Sequence, residues 1–308
     1  MAKPYQEVWV KGKSVSKVYQ RPCEDRYKVI RHFAGRFERP FSVFDLGANL
    51  GYMSLRIAED FPQATCVMAD SKKQLPDICR KNDFSGVWLD RHFRGSELKR
   101  LALCEHFDVV LCLAVLHHFT HDWQEAIDAV MGLGDLVFIE TPSPEDTGAK
   151  NPQLHQEILN YLNRFPYEVV AKFPSHVTKA ERPVMLFRRP LSGFLTRQTI
   201  DAEERGAPRC RVTVDSDFRE STCRITHATG AEVRDYIPGM NLWNFKKLNG
   251  SWPTGIKPMV KRACEGLTHD DLQPWNFILN REGVTAIDYD NKPKIRPGRT
   301  LEKCLKML

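Results

Sequence analysis

The sequence predicts an α/β protein in which a doubly wound, mainly parallel sheet is followed by a smaller α+β domain. Two observations carry this prediction. Seven short apolar runs alternate with segments of helical spacing between residues 41 and 189, and a polar stretch with Gly and Pro begins just after residue 190. Alternating strand and helix patterns are typical of a parallel sheet with helices on both faces. We therefore expect two domains, 1–190 and 191–308.

Two elements are expected before the sheet. The segment "EVWVKGKSVSKVY" is typical of a small hairpin, and "CEDRYKVIRHFAGRF" has apolar residues at helical spacing, which predicts a helix packed on the sheet. The seven predicted strands then follow at residues 41–47, 64–70, 86–90, 107–115, 135–142, 167–173 and 183–189.

The first strand leads into "FDLGANLGYMSLRIAEDF". Asp45, Gly47 and Gly51 end a strand and open a helix, where glycines let the backbone approach a ligand and the helix N-terminus presents N–H groups. The spacing differs from G-x-G-x-x-G, which disfavours a dinucleotide.

This stretch resembles motif I of class I S-adenosylmethionine-dependent methyltransferases, and residues 20 to 190 resemble their Rossmann-like seven-stranded domain, with a final antiparallel pair at the sheet edge. The resemblance implies S-adenosylmethionine as cofactor. It places Asp70 on the ribose hydroxyls and Asp90 near the adenine amino group. The implied cofactor-binding residues are Asp45, Gly47, Asn49, Gly51, Asp70 and Asp90.

The segment "LAVLHHF" resembles the part of the family that passes the methyl donor. His117 and His118 are the candidate catalytic residues, because histidine titrates near neutral pH and can take a proton from an acceptor oxygen. A packing role for either histidine stays open, as does a metal shared by His117, His121 and Asp122. Two polar residues at strand ends are further candidates to line the acceptor pocket: Glu140 and His176.

The second domain begins with two alternating runs at 209–216 and 221–228, which predict a β-hairpin. The segment "AEVRDYIPG" is typical of a strand leading into a hinge. "NLWNFKKLNG" and "GIKPMVKRACEGL" have helical spacing, and the second runs into "THDDLQPWNFILNREGVTAIDYDN".

This order resembles protein-kinase-like phosphotransferases of the aminoglycoside and choline kinase type. His269, Asp271 and Asn276 fit H-x-D-x-x-x-x-N, and Asp288 in "AIDYD" falls at the position of the family's second metal-binding acid. The resemblance implies that Asp271 is catalytic and accepts the proton of a substrate hydroxyl. It also implies that Asn276 and Asp288 hold Mg²⁺ on the phosphates of ATP.

The second domain departs from that family in its first part. It is short for a complete kinase and has no glycine-rich phosphate loop. Residues 180–245 contain ten arginines and no lysine, so the strand lysine that grips the nucleotide phosphates is missing, and arginine does not replace it neutrally. We therefore expect a truncated kinase-like domain with a reduced N-lobe. Active phosphotransfer and an inactive, binding-only fold both stay open.

The combination resembles the bifunctional methyltransferase-kinases that terminate O-antigen polysaccharides. It implies an enzyme that O-methylates a small-molecule, glycan or phospho-sugar acceptor, with a kinase-like domain that phosphorylates the same acceptor. Two alternatives remain. One is a methyltransferase with a catalytically inactive pseudo-kinase as scaffold or binding module, and the other is a structural or assembly protein that retains both folds.

Composition limits the setting. Nine scattered cysteines without a C-x-x-C pair predict reduced thiols, and the absence of a long apolar run predicts no membrane span, so we expect a cytoplasmic protein. The net charge of +6 is spread as 26 basic and 24 acidic residues before position 190 and 19 and 15 after it. This even charge does not favour nucleic acid as a partner. A larger assembly or homo-oligomer stays open.

Overall fold

The computed structural model describes residues 4–143, 145, 151–175, 178, 180–188, 237–267, 272–287 and 300–308. The hairpin expected at 209–216 and 221–228 and the domain boundary expected at residue 190 lie outside these ranges.

Within them, seven strands form one mixed sheet: β3 (Phe41–Leu46), β4 (Ala64–Ala69), β5 (Val87–Leu89), β6 (Phe107–Leu113), β7 (Gly134–Glu140), β8 (Glu168–Pro174) and β9 (Glu181–Arg188). The strand order is β5-β4-β3-β6-β7-β9-β8. The first five strands are parallel, and β9 runs antiparallel to both β7 and β8. The expected α/β fold with a mixed seven-stranded sheet is confirmed. Because the order reverses between β3 and β6, a crevice opens at their carboxyl ends.

Helices cover both faces of this sheet: α1 (Glu24–Ala34), α2 (Tyr52–Asp60), α3 (Leu75–Lys81), α4 (Gly95–Ala102), α5 (Trp123–Leu133) and α6 (Pro152–Leu162). All residues of β3 and β4 are buried, as expected for strands with helices on each side. The helix α1 buries Tyr27, Ile30 and Phe33 at a spacing of three, which places one apolar stripe on the sheet. The expected N-terminal hairpin pairs β1 (Trp9–Val10) with β2 (Lys13–Ser14).

The part of the chain described from residue 237 onward is called here the C-terminal module. Its elements are β10 (Met240–Asn241), α7 (Leu242–Asn249), α8 (Ile256–Ala263), a 3-10 turn (Pro274–Asn276), β11 (Phe277–Asn280), β12 (Gly283–Ala286) and α9 (Leu301–Met307). The three strands form an antiparallel sheet in the order β10-β11-β12. The two helices and the final hairpin expected from the sequence are thus present.

The C-terminal module packs directly on the first domain. Buried side chains of β3, such as Phe44, belong to the same apolar cluster as Phe245 of α7 and Phe277 of β11. At the edge of this cluster the buried carboxylate of Glu105 accepts hydrogen bonds from the backbone N of Asn241 at 3.1 Å and from Nδ2 of Asn244 at 2.6 Å. A buried carboxylate needs such donors to offset its desolvation, so these bonds fix where the module docks.

Two findings bear on the expected setting. Among the described residues, no helix has the length and apolar character needed to cross a bilayer. The cysteines described are free thiols: Cys23, Cys66, Cys79, Cys104, Cys112, Cys264 and Cys304.

Candidate active site

Three residues in the turn after β3 have a positive backbone φ angle. Gly47, Asn49 and Gly51 have φ angles of 72°, 55° and 75°, a left-handed conformation that strongly favours glycine. A Cβ on Gly47 would lie 2.4 Å from Cγ2 of Val115, closer than any side chain tolerates. The turn is therefore as tight as the spacing of its glycines predicts, and it brings the N-terminus of α2 to the carboxyl edge of the sheet.

Asp70 follows β4 and faces this turn. Its Oδ2 accepts the backbone N–H of Asn49 at 2.8 Å, and its Oδ1 accepts that of Lys72 at 2.9 Å. The residue is 8% exposed. Since each carboxylate oxygen has two lone pairs, both oxygens keep capacity for a ligand. The predicted partner of the ribose is thus a fixed carboxylate next to the predicted cofactor turn.

Asp45 is a second carboxylate beneath the same turn. It is buried in β3, and Oγ of Ser54 in α2 donates to its Oδ2 at 2.8 Å. Burial, with a smaller contribution from the negative charge of Asp70, raises the pKa of Asp45 to about 6. The site therefore holds a carboxyl group that gains or loses its proton slightly below neutral pH.

Asp90 follows β5 in an exposed turn. The carbonyl of Leu89 accepts two backbone N–H groups, from Asp70 at 3.1 Å and from Arg91 at 3.0 Å. The carbonyl of Asp70 in turn accepts Nε1 of Trp88 at 3.2 Å. The loops that carry Asp70 and Asp90 are therefore hydrogen-bonded to each other.

His117 and His118 lie in a 3-10 turn, Leu116–His118, after β6. Their ring centroids are 4.1 Å apart, and the ring of His155 from α6 is 5.7 Å from that of His117. Burial is the main cause that lowers the pKa of His117 to about 3, and neighbouring imidazoles and the charges of Arg182 and Arg21 lower it further. This lowered pKa departs from the near-neutral titration that the sequence-based choice of His117 as a base assumes. His118 is exposed, and partial burial and His92 lower its pKa.

Glu140 is buried at the end of β7, where the sequence suggested a pocket-lining side chain. It instead forms ion pairs with Arg21 at 2.6 Å and with Arg26 at 2.8 Å. Although burial acts to raise the pKa of Glu140, the two arginines outweigh it and hold that pKa below its ordinary value. Two guanidinium groups face the carboxylate of Glu140, and Glu7 places a second buried carboxylate nearby, since its Oε1 accepts the backbone N–H of Cys23 at 2.9 Å.

The N-terminal segment brings this arginine pair to the site. Nε2 of Gln6 donates to the carbonyl of Ala48 in the glycine turn at 2.9 Å, and Gln6 pairs with Arg21. A guanidinium nitrogen of Arg21 reaches the carbonyl of Leu113 at the end of β6, at 3.4 Å. Sequence reasoning missed these residues, because no motif accompanies them.

Three buried polar atoms of this region have no hydrogen-bond partner among the described residues: Nε of Arg21, Nδ1 of His117 and Oγ1 of Thr141. Arg21 reaches the carboxyl end of β6 at the carbonyl of Leu113, His117 lies in the 3-10 turn that follows β6, and Thr141 directly follows β7. Buried polar groups are normally paired, so a ligand is a reasonable partner for this set.

In the C-terminal module, Asn276 is buried at the end of the 3-10 turn. The carbonyl of Asn276 accepts the backbone N–H of Ile287 at 2.8 Å. This bond places Asn276 beside the residue that precedes Asp288 in the chain. His269, Asp271 and Asp288, like His176 in the first domain, lie outside the described residues.

The described ranges contain no cluster of three or more His, Cys, Asp or Glu side chains able to hold a metal ion. Asp122, which the metal alternative for His117 invoked, instead accepts the backbone N–H of Gly95 at 2.5 Å. The carboxylate of Asp122 thereby joins the start of α4 to the start of α5.

Comparisons with known proteins agree with this geometry. The sequence profile of a family described as a methyltransferase domain matches residues 43–133. A comparison with curated protein sequences gave no match. A medium-resolution structure of the bifunctional kinase-methyltransferase WbdD is similar over 95% of this chain and 81% of its own, at 16% identity and a TM-score of 0.51. A co-crystal structure of WbdD with the kinase inhibitor LY294002 covers 94% and 80%, at 18% identity and a TM-score of 0.50.

The profile match runs from β3 to α5. It includes the glycine turn, Asp70, Asp90 and the two histidines after β6. Residues 43–133 as a whole match a methyltransferase domain, which confirms the expectation of a methyltransferase. The likeness to WbdD, at this level of identity, concerns the fold.

Proposed function

We propose that this chain transfers the methyl group of S-adenosylmethionine to an oxygen of a hydroxylated or phosphorylated small molecule or glycan. One observation carries the proposal: the carboxylate of Asp70 is held by the N–H groups of Asn49 and Lys72 beside the left-handed turn 47–51. A carboxylate fixed at the end of the second strand suits the two ribose hydroxyls of an adenosine. The left-handed backbone at Gly47, Asn49 and Gly51 fits a tight turn that opens a helix N-terminus toward a ligand.

In this proposal, different residues bind different parts of the methyl donor. Asp70 binds the ribose, Asp90 accepts from the adenine amino group, and Gly47, Asn49 and Gly51 supply a close backbone surface. Asp45, ionised above pH about 6, provides negative charge beneath the turn for a cationic donor. The donor, when bound, supplies an electrophilic methyl group on a sulfonium.

The acceptor side favours an oxygen that is already anionic. A base with a pKa of about 3, such as His117, is far too weak to take the proton of a sugar hydroxyl. As a neutral imidazole it can still hold an acceptor by a hydrogen bond. Nε of Arg21 and the hydroxyl of Thr141, which have no hydrogen-bond partner among the described residues, suit a phosphate group. Among the acceptors open from the sequence, these features support a phospho-sugar.

We further propose that the C-terminal module is a kinase-like domain that acts on the same acceptor with Mg²⁺ and ATP. The order of α7, α8, the 3-10 turn and the hairpin β11–β12 supports this, as does the bond between Asn276 and Ile287. In this scheme Asp271 accepts the proton of the acceptor hydroxyl, and Asn276 and Asp288 hold the metal. A sugar phosphate made there is the anionic acceptor that the methyltransferase site favours.

The lysine-free segment 180–245 supports an alternative. In it the methyltransferase keeps its activity and the C-terminal module is an inactive pseudo-kinase that serves as scaffold or binding module. A shift of the melting temperature by Mg-ATP without phosphate transfer from radiolabelled ATP favours this alternative. The other alternative is a structural or assembly protein that retains both folds. In that case we expect that neither S-adenosylmethionine nor Mg-ATP binds.

Calorimetric titration with S-adenosylhomocysteine tests the donor site. We expect binding by the wild type and a loss of about 10- to 100-fold in Asp70→Asn, because hydrogen bonds to charged groups contribute about 1.5–3 kcal/mol. Asp77→Asn is the matched control, since Asp77 is an exposed carboxylate that pairs with Arg80 on the surface of α3. Equal affinity in Asp70→Asn and wild type contradicts the proposed ribose contact. Methyl transfer is then compared between a sugar and its phosphate, and transfer to the unphosphorylated sugar alone contradicts the anionic acceptor.

A further inference from the structure

The C-terminal module contacts the methyltransferase domain near both the amino ends and the carboxyl ends of the parallel strands; these two sides are called the amino edge and the carboxyl edge. At the amino edge, Arg281 in the turn between β11 and β12 donates to the carbonyls of Ala58 and Phe61, at 3.0 and 3.4 Å. These carbonyls belong to the end of α2 and lie away from the candidate active site. At the carboxyl edge, a second arginine makes the corresponding contact next to the turn that carries Asp90.

That second arginine is Arg91, which belongs to the methyltransferase domain. One of its guanidinium nitrogens donates to the carbonyl of Leu248 in the last turn of α7, at 2.5 Å, and another pairs with Glu97. The guanidinium also lies 5.0 Å from the ring centroid of Phe93. Carbonyls in the last turn of a helix lack partners within the helix and carry partial negative charge. Leu248 is therefore a suitable anchor for a cation.

A second contact from α7 reaches the same turn. Nδ2 of Asn249 donates to the carbonyl of Trp88 at 3.4 Å. The indole Nε1 of Trp88 donates to the carbonyl of Asp70 at 3.2 Å, and the carbonyl of Leu89 accepts the backbone N–H groups of Asp70 and Arg91. Residues 88–91 are therefore held between Asp70 on one side and the C-terminal end of α7 on the other.

From these contacts we infer that Arg91 is a positioning residue for methyl-donor binding, and that α7 of the C-terminal module completes the adenosine side of the donor site. The inference rests on the proposed function, in which Asp70 and Asp90 bind the two ends of the adenosine. Asp90 lies in an exposed turn, and the side chain of its neighbour Arg91 ties this turn to the end of α7. A preorganised turn loses less conformational freedom when the ligand binds.

The role has a direct consequence for the two-domain arrangement. The donor site does not end at the methyltransferase domain, because Leu248 and Asn249 hold the turn that carries one of its predicted ligand-binding residues. A change in the C-terminal module that moves the end of α7 is expected to change donor affinity. The contact of Arg281 does not share this property, because Ala58 and Phe61 lie at the opposite edge of the sheet.

The full chain with Arg91→Ala, Arg91→Lys and Arg281→Ala tests the inference by calorimetry with S-adenosylhomocysteine and with 5′-methylthioadenosine, which lacks the amino-acid part. We expect Arg91→Ala to weaken both ligands by a similar factor of about ten, because ordering roughly one more backbone residue of the turn then becomes a cost of binding. Arg91→Lys restores most of the affinity, since an ammonium can still donate to Leu248. Arg281→Ala, which also removes an arginine–carbonyl contact between the domains, leaves both affinities within about twofold of wild type.

Steady-state kinetics distinguishes a specific effect on donor binding from a general destabilisation of the fold. In Arg91→Ala the KM for the donor rises while kcat at saturating donor stays within about twofold of wild type. If Arg91→Ala proves unstable, Asn249→Ala tests the same turn from the side of α7. Equal weakening in Arg91→Ala and Arg281→Ala, or no weakening in Arg91→Ala, overturns the inference while the donor site stands. A wild-type chain that binds neither ligand overturns the proposed function and this inference with it.

Discussion

Gly47 and Val115 lie in contact across the mouth of the sheet, so that a Cβ on Gly47 would come within 2.4 Å of Cγ2 of Val115. Gly47 follows β3 and Val115 follows β6, the two strands between which the sheet order reverses. The contact therefore joins the loops on the two sides of the crevice in which a donor is expected to bind.

The first prediction concerns this contact. Gly47→Ala is expected to lower the free energy of unfolding by more than the ~1–2 kcal/mol that a left-handed backbone costs a residue with a Cβ, and to abolish binding of S-adenosylhomocysteine. Chemical denaturation and calorimetry measure the two effects.

Gly255 provides a control with the same backbone strain and no contact. Its φ is 74°, and a Cβ there meets nothing within 4 Å. Gly255→Ala is therefore expected to show the backbone cost alone and to leave donor binding intact. Adding Val115→Ala to Gly47→Ala removes the clash and should recover part of the stability. If Gly47→Ala and Gly255→Ala lower the free energy of unfolding equally, the close approach of Val115 does not contribute to the cost, which contradicts the prediction.

The second prediction follows from the buried carboxyl of Asp45. Its pKa rises from an ordinary 3.8 to about 6 in the folded protein. Between these values the folded state binds more protons than the unfolded state, so the stability contributed by Asp45 falls as pH rises from about 4 to about 6. At pH 7, Asp45→Asn is expected to raise the free energy of unfolding by on the order of 1 kcal/mol, while it weakens donor binding.

Calorimetry near pH 6 in buffers of different ionisation enthalpy checks the same residue in the wild type. If the cationic donor favours ionised Asp45, binding releases protons, and the apparent enthalpy depends on the buffer. The affinity of the wild type should fall as pH drops below about 6, and that of Asp45→Asn should not. A wild-type affinity that is flat from pH 5 to 8 contradicts the proposed role of Asp45.

The third prediction concerns the ion pairs that Glu140 forms with Arg21 and Arg26. Removing one member of a buried ion pair typically costs about 3–5 kcal/mol, because its partner is left charged in a poorly solvated place. Glu140→Gln leaves two guanidinium groups in that position and is expected to lower the free energy of unfolding by at least this amount. Urea denaturation at pH 7 measures it.

Acid provides a second test of these ion pairs. Because the pKa of Glu140 is held below its ordinary value of 4.5, its contribution to stability is complete above that value and is lost as pH falls through the folded pKa. Glu140→Gln should therefore lose less stability than wild type between pH 5 and 3. Lys28→Gln, at an exposed pair with Asp25, is the control and should leave the melting temperature unchanged.

The sequence predicted the seven-stranded sheet correctly, because its strands follow from local patterns, while the roles of the donor-site residues stay predictions. Each of the seven strands is a short apolar run, and Gly47, Asp70 and Asp90 each lie at a strand end that the chain order makes adjacent. The ion pairs between Arg21, Arg26 and Glu140 were not predicted, since they join residues 114 and 119 positions apart without a motif. The lowered pKa of His117 was not foreseen, because it depends on burial that a strand-end pattern does not reveal.

The fourth prediction follows from that burial. With a pKa lowered to about 3, the imidazole of His117 should stay neutral from pH 5 to 8, so its NMR chemical shifts should not titrate in this range. Comparison with His117→Gln assigns the resonance. Because a neutral imidazole can bind an acceptor oxygen but hardly deprotonate it, His117→Gln is expected to lower kcat by about tenfold, the order of one hydrogen bond, with an unchanged KM for the donor. A His117 resonance with a midpoint between pH 6 and 7 would remove the basis for an already anionic acceptor, since such a histidine could serve as a base toward a hydroxyl.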